Sequence, residues 1–274
     1  MKLIALVENR TISPEYSPSH GLSLYIEALG HKILFDLGKD QSFLENAQKL
    51  GVDIAAVDTL IISHGHQDHG GGLAAFLANN DRAKIYIRKR AFLPHLIAEG
   101  GELKLAGLDP NLEDNERIIF TDSLHKIDEG LLLFSDVPRQ RLLSVSNDFL
   151  YEDRGEGDYG PDRFEHEQNL IISEKGKHIL LVGCAHCGIV NILEKARALV
   201  EQKLDLVIGG FHLFNPITMI NEEESLIRRI AAELKEKDTL FYTCHCTGEA
   251  AFALLQEDMG EQIRYLATGM NLEL

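Results

Sequence analysis

The stretch that most constrains this chain is DTLIISHGHQDHGGG, residues 58–72. It opens as a short apolar run, the mark of a buried strand. It then crowds His64, His66, Asp68 and His69 into six positions and follows them with Gly70, Gly71 and Gly72. A buried strand running into a glycine-punctuated turn is where layered α/β proteins place chemistry. One loop histidine is ordinarily solvated or a core hydrogen-bonder. Four ligand-type side chains at one strand end need another reason, because unpaired buried polar groups are costly. In an extended segment His64 and His66 point to one side, and Asp68 and His69 come round on the next turn. Imidazole and carboxylate are ligands for Zn²⁺, Mn²⁺ or Fe²⁺, and Gly65 with Gly70–Gly72 lets the backbone close around ions. The segment predicts a metal centre.

The surrounding pattern predicts what carries it. LSLYIEAL alternates Leu22, Leu24 and Ile26 with Ser23, Tyr25 and Glu27, the period of a half-buried strand. Gly30 and His31 turn it into KILFD as a hairpin. Ser42 is placed to cap a helix through SFLENAQKLG that ends at Gly51, and GGLAAFLANN starts another after the cluster. NLIISEKGKHILLVGC reads as two strands. A regular alternation follows: helix GIVNILEKARALVEQK, strand LDLVIGG, helix NEEESLIRRIAAELKEK, strand TLFYTCH, helix TGEAAFALLQED. Glu222, Glu223 and Glu224 begin the middle helix and Lys235 and Lys237 end it, as a helix dipole favours. Residues 88–166 are acidic and read as a loop-rich insertion or lid. Strands first and alternation afterwards predict one α/β domain over 1–274, with helices packed outside sheets.

A chain of 274 residues, 45% hydrophobic, can bury a sizeable core. Its charge of -16 argues against nucleic acid or an anionic membrane as partner, since both select basic surface. A small anionic substrate stays compatible, because a metal or helix terminus reverses the local field. The start, MKLIALVENR, is too short an apolar run for a signal peptide and no small-residue cleavage site follows, so a cytoplasmic protein is expected. Homo-oligomer formation is left open.

SHGHQDHGGG resembles the H-x-H-x-D-H signature of the metallo-β-lactamase superfamily. That resemblance implies a four-layer αββα sandwich with two divalent ions, zinc or else iron or manganese. It assigns His64 and His66 to one ion, and Asp68 and His69 to the other. ILFDLG with Asp36 is similar to the family strand whose aspartate buttresses the histidine loop. VGCAHCGIVN, GGFHLF and CHCTG are similar to a branch of metal-dependent hydrolases related to the dihydropterin–ribofuranosylaminobenzene-phosphate synthases. The family's bridging aspartate falls at Cys184, and its isolated third histidine near FEHEQN, where His166 or Glu167 could stand in.

A dinuclear site needs further ligands, and three histidines follow strands: His186, His212 and His245. His186 and His245 are expected ligands; His212 is either a ligand or a contact to substrate or proton. His20, His31, His95, His125 and His178 are expected as surface or core residues. All four cysteines, Cys184, Cys187, Cys244 and Cys246, lie within two residues of His186 or His245. Buried thiols around the metal site are favoured over a separate Cys₄ site, since C-x-C pairs are a weak signal.

The expected activity is hydrolysis of a small anionic substrate, a phosphate ester or phosphodiester, by hydroxide at a dinuclear site. Asp68 would orient and deprotonate the nucleophile, and His212 would protonate the leaving group. Thr247 and Gly248, at a helix start, would contact a substrate anion or make an ordinary cap. The alternatives are a synthase-like transferase and an iron-binding redox or sensor module.

Overall fold

The structure, a computed structural model, describes residues 1–155 and 157–274. Two seven-stranded sheets stand face to face. In the first, Lys2–Val7, Ser23–Ala28, His31–Phe35, Thr59–Ile61, Lys84–Ile87 and Ile118–Phe120 lie in sequence order, with Asn271–Glu273 added at the Lys2–Val7 edge. The second runs Leu124–Asp128, Leu131–Ser135, Gln168–Glu174, Lys177–Leu181, Leu206–Gly209, Leu240–Thr243 and Ile263–Tyr265, again in sequence order. Each sheet begins as antiparallel hairpins and turns parallel once helices make the crossovers.

Three apolar layers hold this together. Leu24, Ile26 and Phe35 meet Leu133, Leu170 and Leu181 between the sheets. Leu34 and Leu60 pack outward on Phe43 and Phe76, from the helices Ser42–Lys49 and Leu73–Asn79. Leu180 and Val207 pack outward on Leu193 and Ile230, from Ile189–Val200 and Glu224–Lys235. The architecture is the expected αββα sandwich. Because both faces of each sheet are covered, LSLYIEAL is not half-buried: Ser23 and Tyr25 are as enclosed as Leu24, and Glu27 alone in Ser23–Ala28 is exposed. Tyr25 keeps its hydroxyl satisfied by donating to Glu27.

Other readings change at the local level. Gln41, not Ser42, occupies the cap of the first helix, and Asp40 accepts the Ser42 N–H. Glu222 does not serve the helix dipole. It is buried and accepts from the Ser144 hydroxyl (2.5 Å) and the Ser146 N–H (3.1 Å).

Residues 88–166, read as a loop-rich insertion or lid, contribute strands to both main sheets and a small sheet beside the cavity. Ile118–Phe120 is an edge strand of the first sheet, and Leu124–Asp128 and Leu131–Ser135 belong to the second. Ile118–Phe120 is three residues long, Leu124–Asp128 is charged and half-exposed, and Leu131–Ser135 opens as a continuous apolar run, so none shows a clear alternation. His95–Glu99, Glu102–Leu105, Leu150–Asp153 and Tyr159–Pro161 make a separate four-stranded sheet. Among the described residues no helix is long and apolar enough to cross a membrane.

Parallel strands end at one edge, the usual place for a site in such sheets. Here Thr59–Ile61 delivers the histidine loop, Lys177–Leu181 leads to Cys184 and His186, Leu206–Gly209 to His212, and Leu240–Thr243 to His245.

Candidate metal centre

The histidine loop is fixed from behind by Asp36, which follows Phe35 at the end of the neighbouring strand. Asp36 is fully buried. Its Oδ1 accepts the Ser63 N–H, and its Oδ2 accepts from the Ser63 hydroxyl and from His69 Nδ1, each at 2.7 Å. The glycines are sterically required. A Cβ on Gly65 would lie 2.6 Å from the Ala91 carbonyl, and one on Gly71 would run into the Lys39 carbonyl.

These contacts determine where the imidazole protons sit. Ser63 donates its hydroxyl hydrogen bond to Asp36, so its oxygen accepts from His64 Nδ1 at 2.8 Å. His186 Nδ1 donates to Asn147 Oδ1 at 3.0 Å, and His245 Nδ1 to Asn9 Oδ1 at 2.9 Å. With the proton on Nδ1, a neutral imidazole has its lone pair on Nε2. His64 Nε2 then faces His186 Nε2 at 3.3 Å, lone pair to lone pair, while His69 Nε2, on a ring made more basic by Asp36, stands 3.2 Å from His245 Nε2. Two lone pairs so close repel unless a cation lies between them. Two nitrogens each about 2.0–2.1 Å from one tetrahedral ion are separated by roughly 3.3–3.4 Å. His66 Nε2, buried and without a hydrogen bond, completes the first set. The donor set fits divalent metal.

Two groups emerge. His64, His66 and His186 converge on one side. On the other, His69 and His245 stand with Asp68, whose Oδ2 is 3.2 Å from His245 Nε2 and 4.0 Å from His69 Nε2. Cys184 lies between: its sulfur is 3.0 Å from His69 Nε2, and it groups with His64, with His186 and His212, and with His245 and Cys246. The thiol thus occupies the position where the resemblance places a bridging carboxylate. Burial pushes its pKa well up, so metal binding would have to displace its proton.

Burial holds His64 and His186 well below their ordinary pKa, and their imidazole neighbours add to it, the neutral state a ligand needs. Burial likewise lowers His245. For His69 burial acts the same way, but Asp36 and Asp68 prevail and push it up to about 9. Burial opposes charge on Asp68, yet His69, His20 and His245 hold it well below the usual carboxylate range.

The supports of His186 and His245 were not foreseen. Glu167 accepts the His186 N–H (2.6 Å) and the Cys187 N–H (3.0 Å). Glu8 accepts the His245 N–H (2.7 Å), the Tyr265 hydroxyl (2.8 Å) and the Arg10 N–H (2.7 Å). Asp36, Ala185, His212 and His245 all have positive φ, between 51° and 61°. Non-glycine residues rarely adopt it, and it persists where surroundings enforce it.

The remaining candidates separate. His212 is 8% exposed, and neither ring nitrogen has a hydrogen bond among the described residues; it lines the cavity over the centre. His166 stays out of both groups. It accepts the Gly65 N–H on Nδ1 (2.9 Å) and faces Asp162 with Nε2 (3.1 Å), while His95 contacts the same carboxylate at 3.0 Å. Thr247 corrects its reading as a substrate contact. It is buried, its oxygen accepting the Phe211 N–H and bonded to the Thr243 hydroxyl. Gly248 caps the helix Glu249–Met259 and lines a neighbouring recess beside His245. His20, read as surface or core, lies 3.3 Å from Asp68. The cysteines do not gather into one cluster. Cys187 packs in the helix-side layer of the second sheet and Cys244 between the sheets, whereas Cys246 accompanies Cys184.

Comparison with known proteins finds relatives along nearly the whole chain. A 7,8-dihydropterin-6-methyl-4-(β-D-ribofuranosyl)-aminobenzene-5'-phosphate synthase of Methanocaldococcus jannaschii is 31% identical, over 94% of this chain and 90% of its own. An uncharacterised protein of the same organism is 28% identical, over 93% of this chain and 94% of its own. The crystal structure of Tm1679, described as a metal-dependent hydrolase of the β-lactamase superfamily, superposes with a TM-score of 0.84 at 28% identity, covering 100% of this chain and 99% of that one. Residues 16–230 match the metallo-β-lactamase superfamily as a family. A match over that much of the length, on this sandwich and this loop, shows that the chain belongs to the metallo-β-lactamase superfamily.

Proposed function

We propose that the chain is a metal-dependent hydrolase of a small anionic ester, in the phosphate ester or phosphodiester class. One observation carries the reading: two facing pairs of imidazole Nε2 atoms, 3.2 and 3.3 Å apart, border a cavity into which the unpartnered His212 opens. His64, His66 and His186 would hold one ion, and Asp68, His69 and His245 the other, with Cys184 between them. Bound there, divalent ions supply Lewis acidity and make water acidic enough to act as a nucleophile near neutral pH.

The chain's own groups do the rest. Asp68 is partly exposed at the cavity floor, where its carboxylate orients the attacking water and takes its proton. His20, whose pKa is raised by Asp68 against the opposing effect of burial, steadies that carboxylate. His212 donates the proton that the leaving oxygen needs.

The test pairs metal content with turnover. Protein purified without chelators should carry about two ions per chain, and His64→Ala with His66→Ala should lose roughly one. An ester panel should then show activity that Asp68→Ala lowers by at least about a hundredfold. Unchanged turnover of every ester by Asp68→Ala would sink the reading. A second reading, a transferase joining a dihydropterin to an aminobenzene ribofuranosyl phosphate, is supported by the relative that bears that name. Product formation from those two substrates, absent in Asp68→Ala, would favour it.

A further inference from the structure

The cavity over the metal centre encloses about 330 Å³. Its floor is polar, formed by Asp68, Cys184, His186 and His212, but its walls are not. One wall comes from the four-stranded sheet, through Ile97, Leu105 and Leu150. The other comes from the hairpin Phe214–Asn215 and Ile220–Asn221, whose turn places Pro216 and Ile217 opposite. Lys39 stands at the mouth, exposed and without an ion-pair partner among the described residues.

The apolar character of these two elements continues outside. Leu105 is 75% exposed, Met219 70% and Ile220 63%, and Leu103 and Ile217 are exposed as well. Large hydrophobics gathered on two flaps that flank one opening mark a place where apolar surface is covered on binding. A cavity of about 150 Å³ accommodates benzene, so this one has room for a body of one or two rings together with a charged group.

We propose that the substrate is an anionic ester of an apolar, ring-sized alcohol or phenol. Its ring lies between Leu105 and Ile217, and its anionic group sits on the centre within reach of Lys39. This rests on the hydrolase reading for the ester and on the cavity walls for the ring. A polyhydroxylated body such as a sugar would lose its water against these walls without hydrogen bonds in return, which is costly. A purely ionic metabolite would leave them uncovered.

Binding of non-hydrolysable probes to the zinc-loaded protein tests the proposal apart from turnover. 1-Naphthylphosphonate, phenylphosphonate and methylphosphonate are titrated by calorimetry into the native protein and into Leu105→Ser, Ile217→Ser and Lys39→Gln. Leu105 and Ile217 are exposed enough for their variants to fold, and matching melting temperatures confirm it. Naphthyl should bind at least roughly tenfold tighter than methyl, from the apolar area it covers. Leu105→Ser and Ile217→Ser should each shrink that ratio and leave methylphosphonate binding as it was, while Lys39→Gln should weaken all three alike. Equal binding of naphthyl and methyl, a ratio untouched by both serine variants, or no binding by any probe overturns it. A naphthyl preference in a protein that hydrolyses no ester leaves the ring-binding part of this inference standing and removes the hydrolase reading, and the ester with it.

Discussion

His186 and His245 follow two parallel strands of the second sheet, and the chain anchors them alike. In each, a buried glutamate accepts the backbone N–H and an asparagine oxygen accepts from Nδ1: Glu167 and Asn147 for His186, Glu8 and Asn9 for His245. The partners of these two histidines differ. His186 joins His64 and His66, with Ser63 behind His64 and the Asp162 carboxylate 3.7 Å from His66 Nε2, so that side offers three neutral donors and no charged one. His245 joins His69 and Asp68, and His69 has the Asp36 carboxylate behind it. A carboxylate behind a ligating histidine raises its basicity. The backbone solution is common to both halves, while the charge is concentrated in one. The Asp68 half should therefore retain its ion more tightly.

Removing what both halves share should have the largest effect. Asp36→Ala leaves the Ser63 N–H, the Ser63 hydroxyl and His69 Nδ1 without an acceptor, at about 1–3 kcal/mol each. Both ions should be lost and the melting temperature should fall sharply. Native metal content in this variant would refute Asp36 as the common post. Cys184→Ser comes next, since Cys184 stands between the halves. In cobalt-loaded protein it should abolish sulfur-to-metal absorption and keep the histidine–cobalt bands. An unchanged spectrum would place the thiol outside the coordination sphere.

Selective variants should separate the halves. Glu167→Gln should weaken only the ion held by His186, and Glu8→Gln only the one held by His245, each by about 10- to 100-fold in chelator competition. Equal weakening of both ions by either variant would mean the halves are not independent. The smallest effect belongs to a histidine remote from both. His31 bridges the sheets, Nδ1 to Asp58 (2.8 Å) and Nε2 to Asp128 (3.0 Å). Its pKa is raised, by Asp128 most and by Asp58 in support, against partial burial. That stabilisation is complete below its unfolded value near 6.5 and fades as pH rises through the raised folded one. His31→Gln should flatten this part of the stability profile without altering metal content; a profile identical to the native one would rule the bridge out.

Much of this was legible in the chain. His64, His66, Asp68 and His69 are adjacent and follow an apolar run, so their gathering is a local fact. His186 and His245 could be found because each ends a strand in a regular alternation. Glu8 and Asn9 could not: their contact with His245 spans more than 230 residues, and no periodicity reports it. His166 lies where the resemblance expected a ligand, but packing turned it to Gly65 and Asp162. Thr247 sits at a helix start as read, yet its hydroxyl is turned inward to Thr243 and Phe211. The strands within 88–166 were missed because most are three to five residues long and some, such as Glu102–Leu105 and Leu124–Asp128, are charged and exposed, and pairing rather than pattern makes them strands.

The sequence by itself determined the layered α/β class and the candidate metal loop, because apolar periodicity and a run of ligand-type residues are properties of neighbours along the chain. Only the tertiary structure decided which imidazole nitrogen points into the centre, which carboxylate stands behind which histidine, and that apolar walls cover a polar floor. Those outcomes depend on groups distant in sequence reaching hydrogen-bond distance, and the packed sheets alone bring them there.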